Sequence, residues 1–230
     1  MNIMTSETTE NMETTSLRTQ SDVKTKISKK VYIKIKRVID VIFASIALIL
    51  LSPVFAIIAI AIKIDSKGPV FFTHKRIGKN GNIIKLYKFR SMVINAEELI
   101  KSFTPEQMRE YKENYKLTND PRITKVGKFL RKTSLDELPQ LINIINGDLS
   151  IIGPRPLVAD ELEKYGVNKD KFLSVTPGLT GYWAANGRSN TTYEQRMEME
   201  LYYIDNLSLK MDIKVFFKTI LSVVKKEGAI

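Results

Sequence analysis

Between Val41 and Ile62, within KIKRVIDVIFASIALILLSPVFAIIAIAIKIDSKG, the chain carries no charged side chain. As one straight helix this run would reach about 33 Å, against a hydrocarbon core about 30 Å thick. A membrane helix is therefore predicted, with a buried helix of a soluble protein as the plainer alternative. Ser52-Pro53 divides the run near its midpoint. A proline inside a helix removes a backbone donor and clashes with the preceding turn, so a kink is predicted there. The Ser52 hydroxyl is placed to bond a carbonyl that the kink releases. Basic residues flank both ends: Lys29, Lys30, Lys34, Lys36 and Arg37 before the run, Lys63, Lys67, Lys75 and Arg76 after it. Lysine and arginine near membrane ends favour the cytoplasmic side, and here both ends ask for it. A helix that enters, bends at Ser52-Pro53 and returns to the same face meets both demands better than a kinked span.

Beyond the run the periodicity shortens. Val70, Phe71 and Phe72 read as a short strand, Gly78 and Asn80-Gly81 as a turn, and Ile83 to Phe89 as a second strand. NAEELIKSFTPEQMREYKENYKL is helical in composition and broken near Thr104-Pro105. A loop and a short basic helix follow in NDPRITKVGKFLRKTS, then an apolar helix from Leu135 to Asn146 that Gly147 stops. IIGPRPL and VTPGLTGYW read as irregular Gly/Pro-rich loops. TYEQRMEMELYYIDNL is amphipathic, and DIKVFFKTILSVVKKEG puts Ile213, Phe216, Phe217, Ile220, Leu221 and Val224 near one face. That last face suits an interfacial helix or a core helix equally. The first thirty residues, rich in Thr, Ser and Glu, bury too little to offset their ordering entropy and read as a disordered tail.

The fold class so predicted is α+β and helix-rich. It is a small membrane-associated domain with a re-entrant, Ser-Pro-broken N-terminal helix and interfacial amphipathic helices. Its parts are a tail over 1–30, the membrane helix over 31–66 and a cytoplasmic domain over 67–230.

Composition narrows the chemistry. With no cysteine and one histidine, His74, the chain offers no disulfide, thiolate metal site or zinc site. Any metal would be a hard cation on carboxylates and phosphates. A net charge of +11 calls for an anionic partner, and almost all of it lies after the tail. Against that background TSLDELPQLINIINGDLS sets Asp136 beside Glu137. Ser134 and Glu137 match a capping box, the bland explanation of the pair. A helix N-terminus also lowers a carboxylate's pKa, keeping it ionised as a nucleophile or metal ligand. Arg131 precedes the pair, while Arg155 in GPRP and Arg188 in NGRS sit in loops where backbone approaches ligands closely. Guanidinium groups there suit bidentate binding of phosphate oxygens, although a lone loop arginine is usually a solvated charge. Lys75-Arg76, Lys88 and Arg90 read as a basic strand face, solvated or turned to headgroups. Trp183 is by default a packed core residue, with stacking on a base or sugar as the functional alternative. His74 shows no partner in the sequence.

In order, these blocks resemble the bacterial sugar transferase family, the monotopic phosphoglycosyl transferases. The matching stretches are KRVIDVIFASIALILLSP, GPVFFTHKRIGKNG, KLYKFRSM, DPRITKVGKFLRKTSLDELPQLINIINGDLSIIGPRP, TPGLTGYWAANGRS and LYYIDNLSLKMDIKVFFKTI. The resemblance implies transfer of a sugar-1-phosphate from a nucleotide-sugar, usually a UDP-sugar, to a polyprenyl phosphate such as undecaprenyl phosphate. That is the first membrane step of capsule, exopolysaccharide or other surface glycan assembly. It assigns the nucleophile to Asp136, which would form a covalent phosphosugar intermediate, and Mg²⁺ to Glu137. Arg131, Arg155 and Arg188 match phosphate-binding positions, Lys88 is grouped with them, and Ser52-Pro53 matches the break of the re-entrant helix. It further implies the bacterial inner membrane, a cytoplasmic catalytic domain and membrane lipids as partners, and leaves a homo-oligomer open. One departure stands out: relatives often carry a glutamine where this chain has Ala184 or Ala185 in GYWAANGR. A non-catalytic membrane adaptor is the alternative. No nucleic-acid partner is expected, because the arginines sit in turns rather than along one helix.

Overall fold

The computed structural model describes residues 29–114, 117–187 and 191–224. The predicted tail, apart from Lys29 and Lys30, lies outside them, as does Arg188. Helix α1 (Lys29–Leu50) and helix α2 (Ser52–Asp65) meet at a 60° bend at Leu51. Pro53 stands in the first turn of α2, where its missing N–H leaves no bond unmade. The Ser52 hydroxyl donates to the Ile49 carbonyl at 2.8 Å, occupying an acceptor that the break exposes. Among the described residues no single helix is long and apolar enough to cross a membrane; only this bent pair meets that test, jointly.

One side of the pair is exposed and apolar, through Ile42, Phe43, Ile46 and Ile49 of α1 and Ile57, Ile60 and Ile64 of α2. The other side is fastened to the domain. Arg37 donates to the Ile144 and Ile145 carbonyls, Asp40 accepts the Ile151 N–H at 3.1 Å, and Ala44 is buried in the core.

Strands β1 (Phe71–Ile77) and β2 (Ile83–Phe89) form an antiparallel hairpin, with Phe71 opposite Phe89 and Ile77 opposite Ile83. The first strand runs well past the predicted Val70–Phe72, because cross-strand pairing holds the polar stretch Thr73–Arg76 extended. Short helix α3 (Ala96–Leu99) and α4 (Pro105–Asn114) flank the predicted break at Thr104-Pro105. Then come α5 (Lys125–Thr133), α6 (Gln140–Asn146) and strand β3 (Ser150–Ile152). After α7 (Ala159–Glu163) and α8 (Lys169–Leu173), strand β4 (Gly178–Thr180) lies parallel to β3, and α9 (Tyr182–Asn186) follows. The Gly/Pro-rich stretches are thus partly strand, contrary to the loop expectation. A Cβ on Gly178 would stand 2.1 Å from the Gly153 nitrogen, so the glycines let two backbones meet as a ladder.

Helices α10 (Tyr193–Asp205) and α11 (Leu209–Val224) complete the described fold. Helix α11 answers the interface-or-core question with both: Val215 is fully buried, while Ile213, Phe216, Phe217, Ile220 and Leu221 are exposed. Its buried Asp212 accepts hydrogen bonds from Tyr32 and Lys36 of α1 and from Tyr203 of α10. These contacts clamp the N-terminal helix to the end of the chain.

Two buried polar groups organise the interior. Asn143 is fully buried; its amide accepts the Tyr87 N–H at 2.9 Å and donates to the Lys85 carbonyl at 2.8 Å and to Asp148 at 3.0 Å. It thereby ties α6 to the free edge of β2. Replacing it by alanine orphans those strand groups, and about 3 kcal/mol of stability should be lost in urea denaturation. Glu200, 1% exposed, accepts the Arg155 N–H at 3.1 Å, and burial pushes its pKa up to about 7. Since that folded value lies above the ordinary 4.5, the stability this proton confers is complete below pH 4.5 and lost as pH rises through 7. Glu200→Gln should therefore be more stable than wild type at pH 8 relative to pH 5, by on the order of 3 kcal/mol, in paired denaturation curves.

Candidate active site

The turn that carries the acidic pair is made by the end of one helix rather than the start of another. Helix α5 stops at Ser134, whose left-handed conformation (φ 56°) lets its N–H close on the Arg131 carbonyl. A single 3₁₀ turn, Leu135–Glu137, follows, and α6 begins only at Gln140 with Pro139 as its cap. The predicted capping box does not form, and the predicted helix start at Leu135 shifts to Gln140. Proline cannot lie inside the ladder, so the helix waits until it has passed. Gly147 stops the helix as expected, at φ 92°.

This turn sets the two carboxylates in different environments. Glu137 faces an open cleft and receives Lys88 at 2.5 Å. Burial works against its ionisation, yet Lys88, Arg155 and Gln140 outweigh it and hold its pKa below the usual carboxylate range. Asp136, its neighbour in the turn, is buried, 8% exposed, and absent from the cleft lining. Its pKa is raised, contrary to the lowering expected of a helix N-terminus. Desolvation is the largest cause and the Glu137 charge adds to it, while Lys88 and Arg131 oppose them. One turn of a 3₁₀ helix offers too little dipole to offset burial. Adjacent acids whose proton affinities are driven apart are suited to different tasks.

The cleft gathers Lys88, Glu137 and Arg155, three of the residues picked out from the sequence, with Gln140 and Thr180. Arg131 is exposed on the Asp136 side, its Nε donating to the Ser91 hydroxyl at 2.9 Å. Ser52 and Pro53 belong to the helix bend and not to the cleft lining. Arg90, expected on a solvated basic face, is instead buried and donates to the Ser66 and Lys67 carbonyls at the end of α2. Trp183, expected in the core, lines the cleft with Arg196 stacked 4.7 Å from its ring centre and its indole N–H bonded to Thr191.

Sequence reasoning missed Glu200 as a cleft residue, and it read Arg76, on a basic strand face with Lys88, as solvated or turned to headgroups, where the structure sets it in the cleft lining. Period-two alternation along β1 and β2 would have signalled Arg76, since it falls on the hairpin face that carries Lys88. Glu200 gave no signal beyond its place four residues after Arg196 on a helix.

Among the described residues no three His, Asp or Glu side chains assemble as a metal-ligating group. The cleft does present the partly exposed carboxylate of Glu137 beside cationic phosphate-binding candidates. That fits a hard cation taking one protein carboxylate and drawing its other ligands from phosphates and water, the habit of Mg²⁺.

Comparison with known proteins bears on this arrangement. The family described as bacterial sugar transferase matches residues 31–226. The exopolysaccharide production protein ExoY of Rhizobium meliloti (strain 1021) is 45% identical over 197 residues, 84% of this chain and 87% of that protein. The undecaprenyl-phosphate galactose phosphotransferase of Salmonella typhimurium (strain LT2) is 42% identical over 85% of this chain and 41% of its own length. The UDP-glucose:undecaprenyl-phosphate glucose-1-phosphate transferase of Escherichia coli (strain K12) is 40% identical over 81% of this chain and 39% of its own length. The chain spans about two fifths of the length of the latter two relatives. With a match that runs through the bent helix pair, the acidic turn and the cleft, the chain belongs to the bacterial sugar transferase family.

Proposed function

We propose that this protein transfers a sugar-1-phosphate from a nucleotide-sugar, a UDP-sugar, to polyprenyl phosphate, as an early membrane step of exopolysaccharide or capsule assembly. The observation that carries the reading is the split acidic pair: a desolvated Asp136 behind an ionised Glu137, at a cleft lined by Lys88 and Arg155. The names of the Salmonella and Escherichia relatives support undecaprenyl phosphate as the acceptor class. Those names differ in the sugar at similar identity, so overall similarity does not select it.

In this reading Lys88 and Arg155 grip the donor's phosphates, with Arg131 at the Asp136 side and Arg188 a further candidate. The Asp136 carboxylate attacks the phosphorus that bears the sugar; an aspartyl O–P bond forms and the P–O bond to the nucleoside monophosphate breaks, releasing UMP. An oxygen of the lipid phosphate then attacks the same phosphorus, expelling Asp136 and giving polyprenyl-diphosphate-sugar. Raised proton affinity and poor solvation make the Asp136 anion a stronger nucleophile than an exposed aspartate, provided the neighbouring cations keep it ionised. Glu137 would hold Mg²⁺, which supplies charge neutralisation on the phosphates when bound. A covalent intermediate lets a water-soluble donor and a lipid-borne acceptor use one site in turn. The bent helix pair, with its exposed apolar side, would seat the domain re-entrantly on the cytoplasmic face of the inner membrane.

In detergent with a UDP-sugar panel and undecaprenyl phosphate, UMP release is expected from wild type and not from Asp136→Asn; release that survives the substitution removes the assigned nucleophile. Because Lys88 is the largest charge favouring the Asp136 anion, Lys88→Met should raise that pKa further. The acid limb of kcat/KM, along which rate falls as pH drops and Asp136 protonates, should then move to higher pH. For topology, cysteines placed singly at Ser16 and Lys75 in this cysteine-free chain should both resist an impermeant reagent in intact cells. Labelling of one alone would mean a spanning helix.

A further inference from the structure

Arg76 is the cleft cation that no part of the mechanism above uses. It sits on β1 with its side chain 16% exposed, and it lines the cleft beside Arg155 and Lys88. Among the described residues its guanidinium has only distant partners: His74 Nδ1 at 3.5 Å and Glu161 Oε2 at 3.7 Å. Glu161 is shared among three donors, of which Arg76 is the most distant. Its Oε1 accepts from Arg196 at 3.1 Å and its Oε2 from the Val158 N–H at 3.3 Å. Arg155 and Arg196 both repel Arg76; burial first, and then the charges of Arg76, Lys88 and Arg155, hold His74 below its ordinary pKa, so the histidine stays neutral and adds no charge.

The fold thus presses two guanidinium groups, Arg76 and Arg155, into one cleft wall without giving either side chain a close carboxylate. Two under-bonded guanidinium groups on one wall, Arg76 largely buried and Arg155 exposed, repel each other, and an oxyanion with several acceptor oxygens between them turns that repulsion into binding. Glu161 links that end of the cleft to the other. It touches Arg76 on one side and on the other Arg196, which stacks between Trp183 at 4.7 Å and Tyr193 at 5.3 Å.

We propose that Arg76 binds the diphosphate of the nucleotide-sugar together with Arg155, and that Glu161 is a positioning residue that holds Arg76 in register with the Trp183 wall. The proposal rests on the donor reading above and extends it to residues outside the acidic pair.

Trp183 is the only tryptophan and lines the cleft, so its fluorescence reports occupancy. The full-length protein in detergent is titrated with UDP and with uridine. Arg76→Ala should weaken UDP at least about tenfold, the usual loss of a charge-assisted contact, and leave uridine unchanged. Arg76→Lys should recover part of the loss, and KM for the nucleotide-sugar should rise more than kcat falls. Glu161→Gln should weaken UDP less than Arg76→Ala, and the double variant should be no worse than Arg76→Ala alone, because Glu161 acts through Arg76. Unchanged UDP affinity in Arg76→Ala, or an equal loss for uridine, overturns the proposal while leaving the donor reading intact. Wild-type protein that takes up no UDP overturns both.

Discussion

One lysine has to serve two carboxylates. Lys88 sits 2.5 Å from Glu137 and is also the largest charge favouring ionisation of buried Asp136. If Lys88 were absent, burial would push both proton affinities upward, with Arg155 and Gln140 still opposing it at Glu137 and Arg131 at Asp136. With it, Glu137 is held ionised at the cleft and Asp136 remains a poorly solvated acid behind it. The tension between desolvation and one shared cation is therefore what makes the pair chemically unequal.

The stretch that supplies this lysine also reaches the helix that would lie in the bilayer. Three residues near the end of β2 reach three different places: Lys88 to Glu137, Arg90 to the carbonyls that end α2, and Ser91 to Arg131. Ser91 also accepts the Thr124 N–H through its carbonyl, and Gly127 packs so close that a Cβ there would stand 2.0 Å from that oxygen. Asp65, at the last turn of α2, caps α5 by accepting the Val126 N–H at 2.9 Å. Helix α5 in turn delivers the acidic pair. The position of the chemistry is thus set directly by the end of the bent helix pair, with few intervening contacts.

Much of this was legible in the residues, for identifiable reasons. The uncharged run and its Ser-Pro break are local signals, and the bend appears where they place it. Strand β2, the break at Thr104-Pro105 and the glycine stop of α6 are likewise fixed within a few residues. What failed depended on partners distant in the chain. The β3–β4 ladder needs Gly153 and Gly178 to meet although 24 residues separate them, which no local pattern reports. The capping box was a correct local match defeated by Pro139 and by a left-handed Ser134. The pKa of Asp136 moved opposite to the dipole expectation because burial is a tertiary property. In the site, charge and loop composition located Lys88, Glu137 and Arg155, and strand alternation reaches Arg76, but Glu200 and the Arg196–Trp183 stack emerged only from packing.

In the proposed reaction Asp136 becomes covalently attached to the sugar phosphate during turnover. Protein incubated with UDP-sugar and Mg²⁺ but no lipid acceptor, quenched and digested, can be read by mass spectrometry of the peptide spanning the acidic turn. The expected result is an added sugar phosphate on Asp136 that disappears when polyprenyl phosphate is supplied. An unmodified Asp136 peptide from enzyme that still releases UMP, or the modification on another residue, would contradict it.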